Sequence, residues 1–388
     1  MMVGADMAPF HVMDMVKAAA VEEARGRSIV HLEVGQPSTG APGPVCDAAA
    51  AALGSGDPLG YTEVKGLPAL RDALAAHYRA WYGVDIDPVR IQLTGGSSAG
   101  FVLAFLACFE RGARVGVPVP GYPCYRNVLQ GLGMVPIPVR ADASSGYRVT
   151  VDLLDAAGPL DGLLLASPNN PTGTVLARAE LAEVAGWCAE REVRLISDEI
   201  YHGLVYGEPA SSMAAIEQRA IVVSSFSKYW SMTGWRLGWL NLPHDDEARV
   251  ERLAANLFIC PAAIAQHAAL AAVDGRAGGF AAIEAELSSH VARYRRNRTV
   301  LLEGLPRAGL RSFAPADGAF YLYADVSELG VPSSELCQRW LVEAGVATAP
   351  GVDFDPEWGS RFVRFSFAGS TPDMVRAVER LVAWSERA

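Results

Sequence analysis

The chain has 388 residues, a formal net charge of −10 at pH 7, 51% hydrophobic residues and 20% charged residues. That length is enough for two domains and a large core, and the composition is that of a globular protein, not a disordered one. The acidic balance, with no basic stripe to offset it, excludes phosphate-backbone binding as the main task, so nucleic acid is not an expected partner.

The start, MMVGADMAPFHVMDMVKAAA, has no basic segment followed by an unbroken apolar one and does not read as a signal peptide. The apolar stretch FVLAFLACF at 101–109 is bounded by Glu110 and Arg111, short of the roughly 20 residues a bilayer span needs. Six cysteines (Cys46, Cys108, Cys124, Cys188, Cys260 and Cys337) are scattered with no C-x-x-C pair. Most have apolar neighbours and are expected as small core residues, with no disulfide frame and no metal site. A cytoplasmic location without membrane contact is the expectation.

In chain order, APFHVMDM at 8–15 is expected as a loop, and VCDAAAAAL from Val45 as a helix, with Pro44 in its first turn and Gly54 as terminator. Between about 90 and 242, short apolar runs alternate with longer helix-like segments: RIQLT, RVGVPV, VPIPV, GLLLA, VRLIS, AIVVS and LGWLNL. Near-continuous runs of this kind suit strands buried on both faces, hence a mostly parallel sheet flanked by helices. From about 275 the character changes. A long helix through FAAIEAELSSHVARYRRNRTVLLEGL precedes GAFYLYADV, a helix near 333–344 and the alternating RFVRFSFA. This predicts a large α/β domain over 46–284 and a smaller, discontinuous α+β domain from 1–45 and 285–388.

Five of the runs lead into polar or glycine-rich segments: GGSS at 95–98, PGYP at 120–123, SPNNPTG at 167–173, DEIY at 198–201 and SFSK at 225–228. Each alone reads as a turn. Together they predict one shared ligand site, because open α/β sheets bind ligands at the carboxyl ends of their strands. GGSSAG after a strand suits a phosphate cradle of backbone N–H groups at a helix start. Gly95, Gly96 and Gly100 are spaced wrongly for G-x-G-x-x-G, which argues against a nicotinamide dehydrogenase.

Lysine occurs only at Lys17, Lys65 and Lys228, whereas Lys and Arg together number 33. Lys228 follows a buried-looking strand and precedes YWSMTGWRLGW, with Ser225 and Ser227 beside it and Arg236 eight residues on. A lysine desolvated there, or close to other cations, loses its proton readily and can form a Schiff base.

SFSKYWSMTGWRLGW resembles the lysine motif of the pyridoxal-phosphate-dependent class I/II aminotransferases, and seven other segments occur in that family's order along essentially the full chain. They are GQPSTGAP at 35–42, YTEVKG at 61–66, GGSSAG, PVPGYPCY at 118–125, SPNNPTG, SDEIY and VRFSFA at 363–368. The resemblance implies a fold-type-I enzyme with a mostly parallel seven-stranded sheet, binding pyridoxal 5′-phosphate through an imine to Lys228, whose freed amine then shuttles the proton. It implies Asp198 as partner of the ring nitrogen, Asn170 and Tyr201 as partners of the ring hydroxyl, and Tyr122 as the stacking aromatic. Gly96, Ser97, Ser98, Ser225, Ser227 and Arg236 are implied for the phosphate, and Tyr61 for the phosphate of a neighbouring subunit, hence a homodimer. Arg364, with Asn170 and the backbone of Gly35, is implied for the substrate carboxylate. On the residues alone, Asp198 reads equally as a helix cap, Asn170 as a turn residue, Tyr201 as a partly buried tyrosine, Tyr122 as packing and Tyr61 as an ordinary loop residue. The expected reaction is transamination between an L-amino acid and a 2-oxo acid, in ping-pong order. A C–S β-lyase or decarboxylase of the same fold and a non-catalytic protein of that fold are the alternatives; a regulator would carry an added DNA-binding domain, for which no room is expected. Phe10 and nearby methionines lean the side-chain pocket apolar, and no residue stands out as selecting a dicarboxylate.

Overall fold

A computed structural model describes residues 9–275 and 279–387; the reading of the first eight residues lies outside them. The seven apolar runs all form strands. They are β2 (Ile91–Thr94), β3 (Arg114–Val119), β4 (Val135–Arg140), β5 (Gly162–Ala166), β6 (Arg194–Asp198), β7 (Ile221–Ser225) and β8 (Gly238–Asn241), preceded in the chain by the short β1 (Val30–His31). Their order in one sheet is β2-β8-β7-β6-β5-β3-β4. All neighbours are parallel except β8, which runs antiparallel to both β2 and β7.

The two faces separate by the period of two that a strand imposes. Leu163 and Leu165 face a core shared with α2 (Gly43–Gly54), α3 (Pro68–Tyr82), α6 (Val151–Ala156), α7 (Arg178–Glu190) and α9 (Ala263–Val273). Leu164 and Ala166 face α4 (Gly96–Cys108), α5 (Pro123–Gly131) and α8 (Glu247–Leu257). β4 departs from the expectation of burial on both faces: it is the sheet's edge, and Val135 and Pro138 are exposed. Pro136 and Pro138 supply the reason, since a residue without an N–H is tolerated at an edge and not in a central strand.

The remaining strands are β9 (Ser312–Phe313), β10 (Tyr321–Asp325), β11 (Val346–Ala347), β12 (Ala349–Pro350) and β13 (Phe362–Ser366). β12, β13, β10 and β9 form an antiparallel sheet, while β1 pairs with β11 and so ties the amino-terminal segment to the carboxyl-terminal one. A second core joins them to α1 (His11–Ala24), α10 (Phe280–Gly304), α11 (Ser333–Arg339), which ends in a π turn over Trp340–Ala344, and α12 (Thr371–Ser385).

Two further expectations are corrected. The 8–15 segment is not a loop beyond Phe10, because α1 begins at His11: Asp353, far along the chain, accepts the N–H groups of His11 and Val12 and substitutes for a local cap. Of the six cysteines only Cys188 and Cys337 are buried, because apolar neighbours in a helix point to different sides. No helix among the described residues is long and apolar enough to cross a membrane.

Candidate active site

The five polar segments converge. Ser97 and Ser98 after β2, Tyr122 after β3, Asn170 after β5, Tyr201 after β6, and Ser227 and Lys228 after β7 all line one cavity of about 240 Å³. Gly35, Arg236 and Arg364 line it as well, with Phe10, Val12, Met13 and Val34 as apolar wall. Gly96, Asp198 and Ser225 stand behind the wall, and Tyr61 lies away from the cavity with 83% of its surface exposed.

At one end α4 begins directly after Gly95, so its first N–H groups point outward as an anion site. Gly96 is at φ +78°, and a Cβ there would stand 2.5 Å from Arg236 Nη2, so only glycine lets the helix start approach the guanidinium. Arg236 Nη1 is anchored by the Thr233 carbonyl at 3.0 Å. The N–H of Ser227 donates to Ser225 Oγ at 3.2 Å, folding the serine turn toward the same end.

Arg364, on β13, marks the other end. It is buried; Nη1 donates to Asn170 Oδ1 at 3.0 Å and Nη2 to the Glu33 carbonyl at 2.5 Å, and Nε has no hydrogen-bond partner among the described residues. An unpaired buried guanidinium donor is costly unless a ligand takes it, and a carboxylate is its natural acceptor. Accepting from Arg364 leaves the Asn170 amide its NH2 as the remaining donor.

Lys228 sits between the two ends. Its Nζ donates to the Gly35 carbonyl at 2.6 Å and faces the rings of Tyr201 and Phe320 at 5.8 and 5.9 Å. Burial, then Arg364 and Arg236, push its pKa down to about 8, with Asp198 opposing. Asp198 closes β6: Oδ2 accepts from Tyr125 Oη and Oδ1 from the Ile200 N–H at 3.1 Å. Burial raises its pKa to about 7 against those two hydrogen bonds. No helix begins directly after β6, so the helix-cap reading of Asp198 does not hold: its Oδ1 closes a turn instead, behind the cavity.

Tyr122 precedes α5 and meets Phe10 and Tyr125 edge-on at 6.3 and 5.4 Å. Sequence reasoning missed Tyr125 and Tyr321, both on the cavity wall. A signal existed for Tyr125, three residues beyond Tyr122 and thus on the same side of α5; for Tyr321 no local one did.

The family described as aminotransferase class I and II matches residues 27–381. The chain is 47% identical to the valine–pyruvate aminotransferase of Mycobacterium tuberculosis over 98% of its own length and 97% of that protein's. A crystal structure of an aminotransferase from M. tuberculosis has a TM-score of 0.95 at 46% identity, covering 100% of this chain and 99% of that one. The Thermus thermophilus aspartate aminotransferase with maleate has a TM-score of 0.91 at 30% identity, covering 97% of each chain. Strand-end convergence, a half-buried lysine between two arginines and family-wide similarity agree: the chain belongs to the class I and II aminotransferases and is an enzyme that transfers amino groups between amino acids and 2-oxo acids.

Proposed function

We propose that this aminotransferase holds pyridoxal phosphate in the cavity and exchanges the amino group of a small apolar amino acid, valine in kind, with a 2-oxo acid such as pyruvate, in ping-pong order. The observation that carries the reading is Lys228: a lysine brought to a pKa of about 8 between two anion-binding ends.

The residues present fit the cofactor. The Gly96 cradle, the α4 N-terminus, Ser97, Ser98, Ser225, Ser227 and Arg236 would hold a phosphate; Asp198 would hold a ring nitrogen; Asn170 and Tyr201 would donate to a ring oxygen; Tyr122 would cover the ring; and Lys228 Nζ would bond it covalently. When bound, the group supplies a carbonyl that accepts the amine and a ring that withdraws electrons from the substrate α-carbon.

Around it, the chain's own groups divide the work. Arg364 offers its free Nε to the substrate carboxylate and, with Asn170 and the Gly35 backbone, orients the α-carbon hydrogen toward Lys228. Lys228 Nζ, far more often neutral near pH 8 than an ordinary lysine, takes that proton and returns it. Tyr201, its phenol raised well above the ordinary value chiefly by burial, stays a donor.

Among the described lining residues the only charged groups are Lys228, Arg236 and Arg364. With Arg236 at the phosphate end and Lys228 as base, Arg364 alone remains for a carboxylate, and Phe10, Val12, Met13 and Val34 offer an apolar wall to the side chain. That supports a monocarboxylic, apolar amino acid, in line with the name of the M. tuberculosis relative, over the dicarboxylate class of the T. thermophilus one.

The reading extends to a homodimer. Tyr61 is turned to solvent, where it would reach the phosphate end of a second copy, and Leu257, Phe258 and Ile259 are exposed apolar residues that a partner would cover. It takes 46–284 as the cofactor-holding domain and 1–45 with 285–388 as the smaller one, α10 crossing the boundary. The cytoplasm suits the six unpaired thiols.

The test incubates the purified protein with pyridoxal phosphate and single amino acids, with and without pyruvate. Expected are alanine formation from valine that requires the 2-oxo acid, and a loss on the order of a thousandfold in Lys228→Ala. Ammonia, pyruvate or carbon dioxide released without a 2-oxo acid would instead make the enzyme a lyase or decarboxylase, and aspartate outpacing valine would overturn the substrate class.

A further inference from the structure

Tyr321 lies on β10, within the GAFYLYADV stretch. Its side chain is buried and touches three groups with separate tasks. Its hydroxyl is 2.7 Å from Tyr201 Oη. Its ring carries the Arg364 guanidinium, whose carbon stands 4.4 Å from the ring centroid. Its Oη would be 1.7 Å from a Cβ on Gly35, so the phenol occupies space that only a glycine leaves, and the carbonyl of that same Gly35 accepts from Lys228.

We propose that Tyr321 is a positioning residue: its hydroxyl holds Tyr201 as a donor into the cavity, while its ring and its contact with Gly35 keep Arg364 and Lys228 in register. The proposal rests on the cofactor reading above.

Two phenols sharing one hydrogen bond use one of their two protons between them, and which proton remains decides what Tyr201 can do. Burial raises the pKa of both. At Tyr321 the next influence is Arg364, which opposes the rise, whereas Tyr201 is raised well above its ordinary value with Tyr321 adding to it. The 2.7 Å contact lets either hydroxyl give its proton, and once an acceptor in the cavity takes the Tyr201 proton, Tyr201 Oη is left to accept from Tyr321, which fixes Tyr201 as the donor into the cavity. Arg364 from β13, Tyr201 after β6, Lys228 after β7 and Tyr122 before α5 are the charged and titratable groups around it. The ring contact is a separate function: a guanidinium over a buried aromatic face is held in plane as well as attracted.

The experiment compares wild type, Tyr321→Phe and Tyr321→Leu, each loaded with pyridoxal phosphate, by the pH midpoint of the visible absorption band and by KM and kcat for valine. Donors to the cofactor's ring oxygen favour its deprotonated form, so weakening Tyr201 raises the midpoint. In Tyr321→Phe it is expected to rise by about half to one pH unit, with lower kcat and a nearly unchanged KM because the ring remains. In Tyr321→Leu, KM is expected to rise roughly threefold or more as the ring beneath Arg364 is lost. A wild-type midpoint in Tyr321→Phe, or a wild-type KM in Tyr321→Leu, overturns the assignment while the cofactor reading stands. A wild-type protein that never acquires a visible band overturns both.

Discussion

Burial and two guanidinium groups push the Lys228 ammonium down to about 8 from 10.5, so at neutral pH the cofactor-free fold carries a charge that it disfavours. Between those two values the unfolded chain keeps a proton the folded chain has released, so this group makes stability rise with pH across that window and weigh against folding fully below it. Lys228→Met, of similar length and uncharged, is therefore expected to stabilise the cofactor-free protein at pH 7 by an amount on the order of 2 kcal/mol. The gain should shrink as the pH is raised from 8 to 10.5. Thermal unfolding of both proteins across that range checks it, and a variant less stable than wild type at pH 7 would contradict the account. Lys228 was legible because lysine is rare in this chain and stands after an apolar strand. Tyr321 was not: its importance comes from Tyr201, Gly35 and Arg364, none of them near it in sequence.

At the scale of elements, α1 shows how a distant residue completes local structure. Phe10 offers no side-chain cap; instead Asp353 accepts from the N–H groups of His11 and Val12 at 2.9 and 2.7 Å, and its own backbone carbonyl is held by Arg126 at 2.5 Å. Phe10, Val12 and Met13 reach the cavity from this helix start, so the cap bears on substrate binding. Asp353→Ala is expected to lower stability by about 1–2 kcal/mol, as loss of a helix cap does. It should also raise KM for the amino acid several-fold, with cofactor affinity little changed. Steady-state kinetics beside cofactor titration checks this, and an unchanged KM would separate α1 from the substrate pocket. The 8–15 segment read as a loop because its capping partner is about 340 residues away. The β4 edge was not read from the chain: its apolar run suggested burial on both faces, although Pro136 and Pro138 are residues that suit an edge.

At the scale of the molecule, Tyr61 has 83% of its surface exposed and no place on its own chain's cavity, which suits a role toward a second copy. Sedimentation is expected to give twice the mass of one chain. Tyr61→Phe should keep that mass while weakening cofactor binding about tenfold, the effect of one lost hydrogen bond to a charged group. A monomeric protein, or unchanged affinity in the variant, would remove Tyr61 from the site. The seven strands and the order of the polar segments that follow them could be read from the chain because apolar runs and glycine-bearing turns are local patterns, each set by backbone preference and burial. Lys228 after an apolar strand, with Arg236 eight residues on, also pointed to Schiff-base chemistry, whereas the role expected of Asp198 came from the family resemblance. Only the tertiary structure decided that β8 runs antiparallel, that β1 pairs with β11, that Asp353 caps α1 and that Tyr321 lies between Tyr201 and Arg364. These depend on which surfaces meet when distant segments share a core, and no local pattern specifies that meeting.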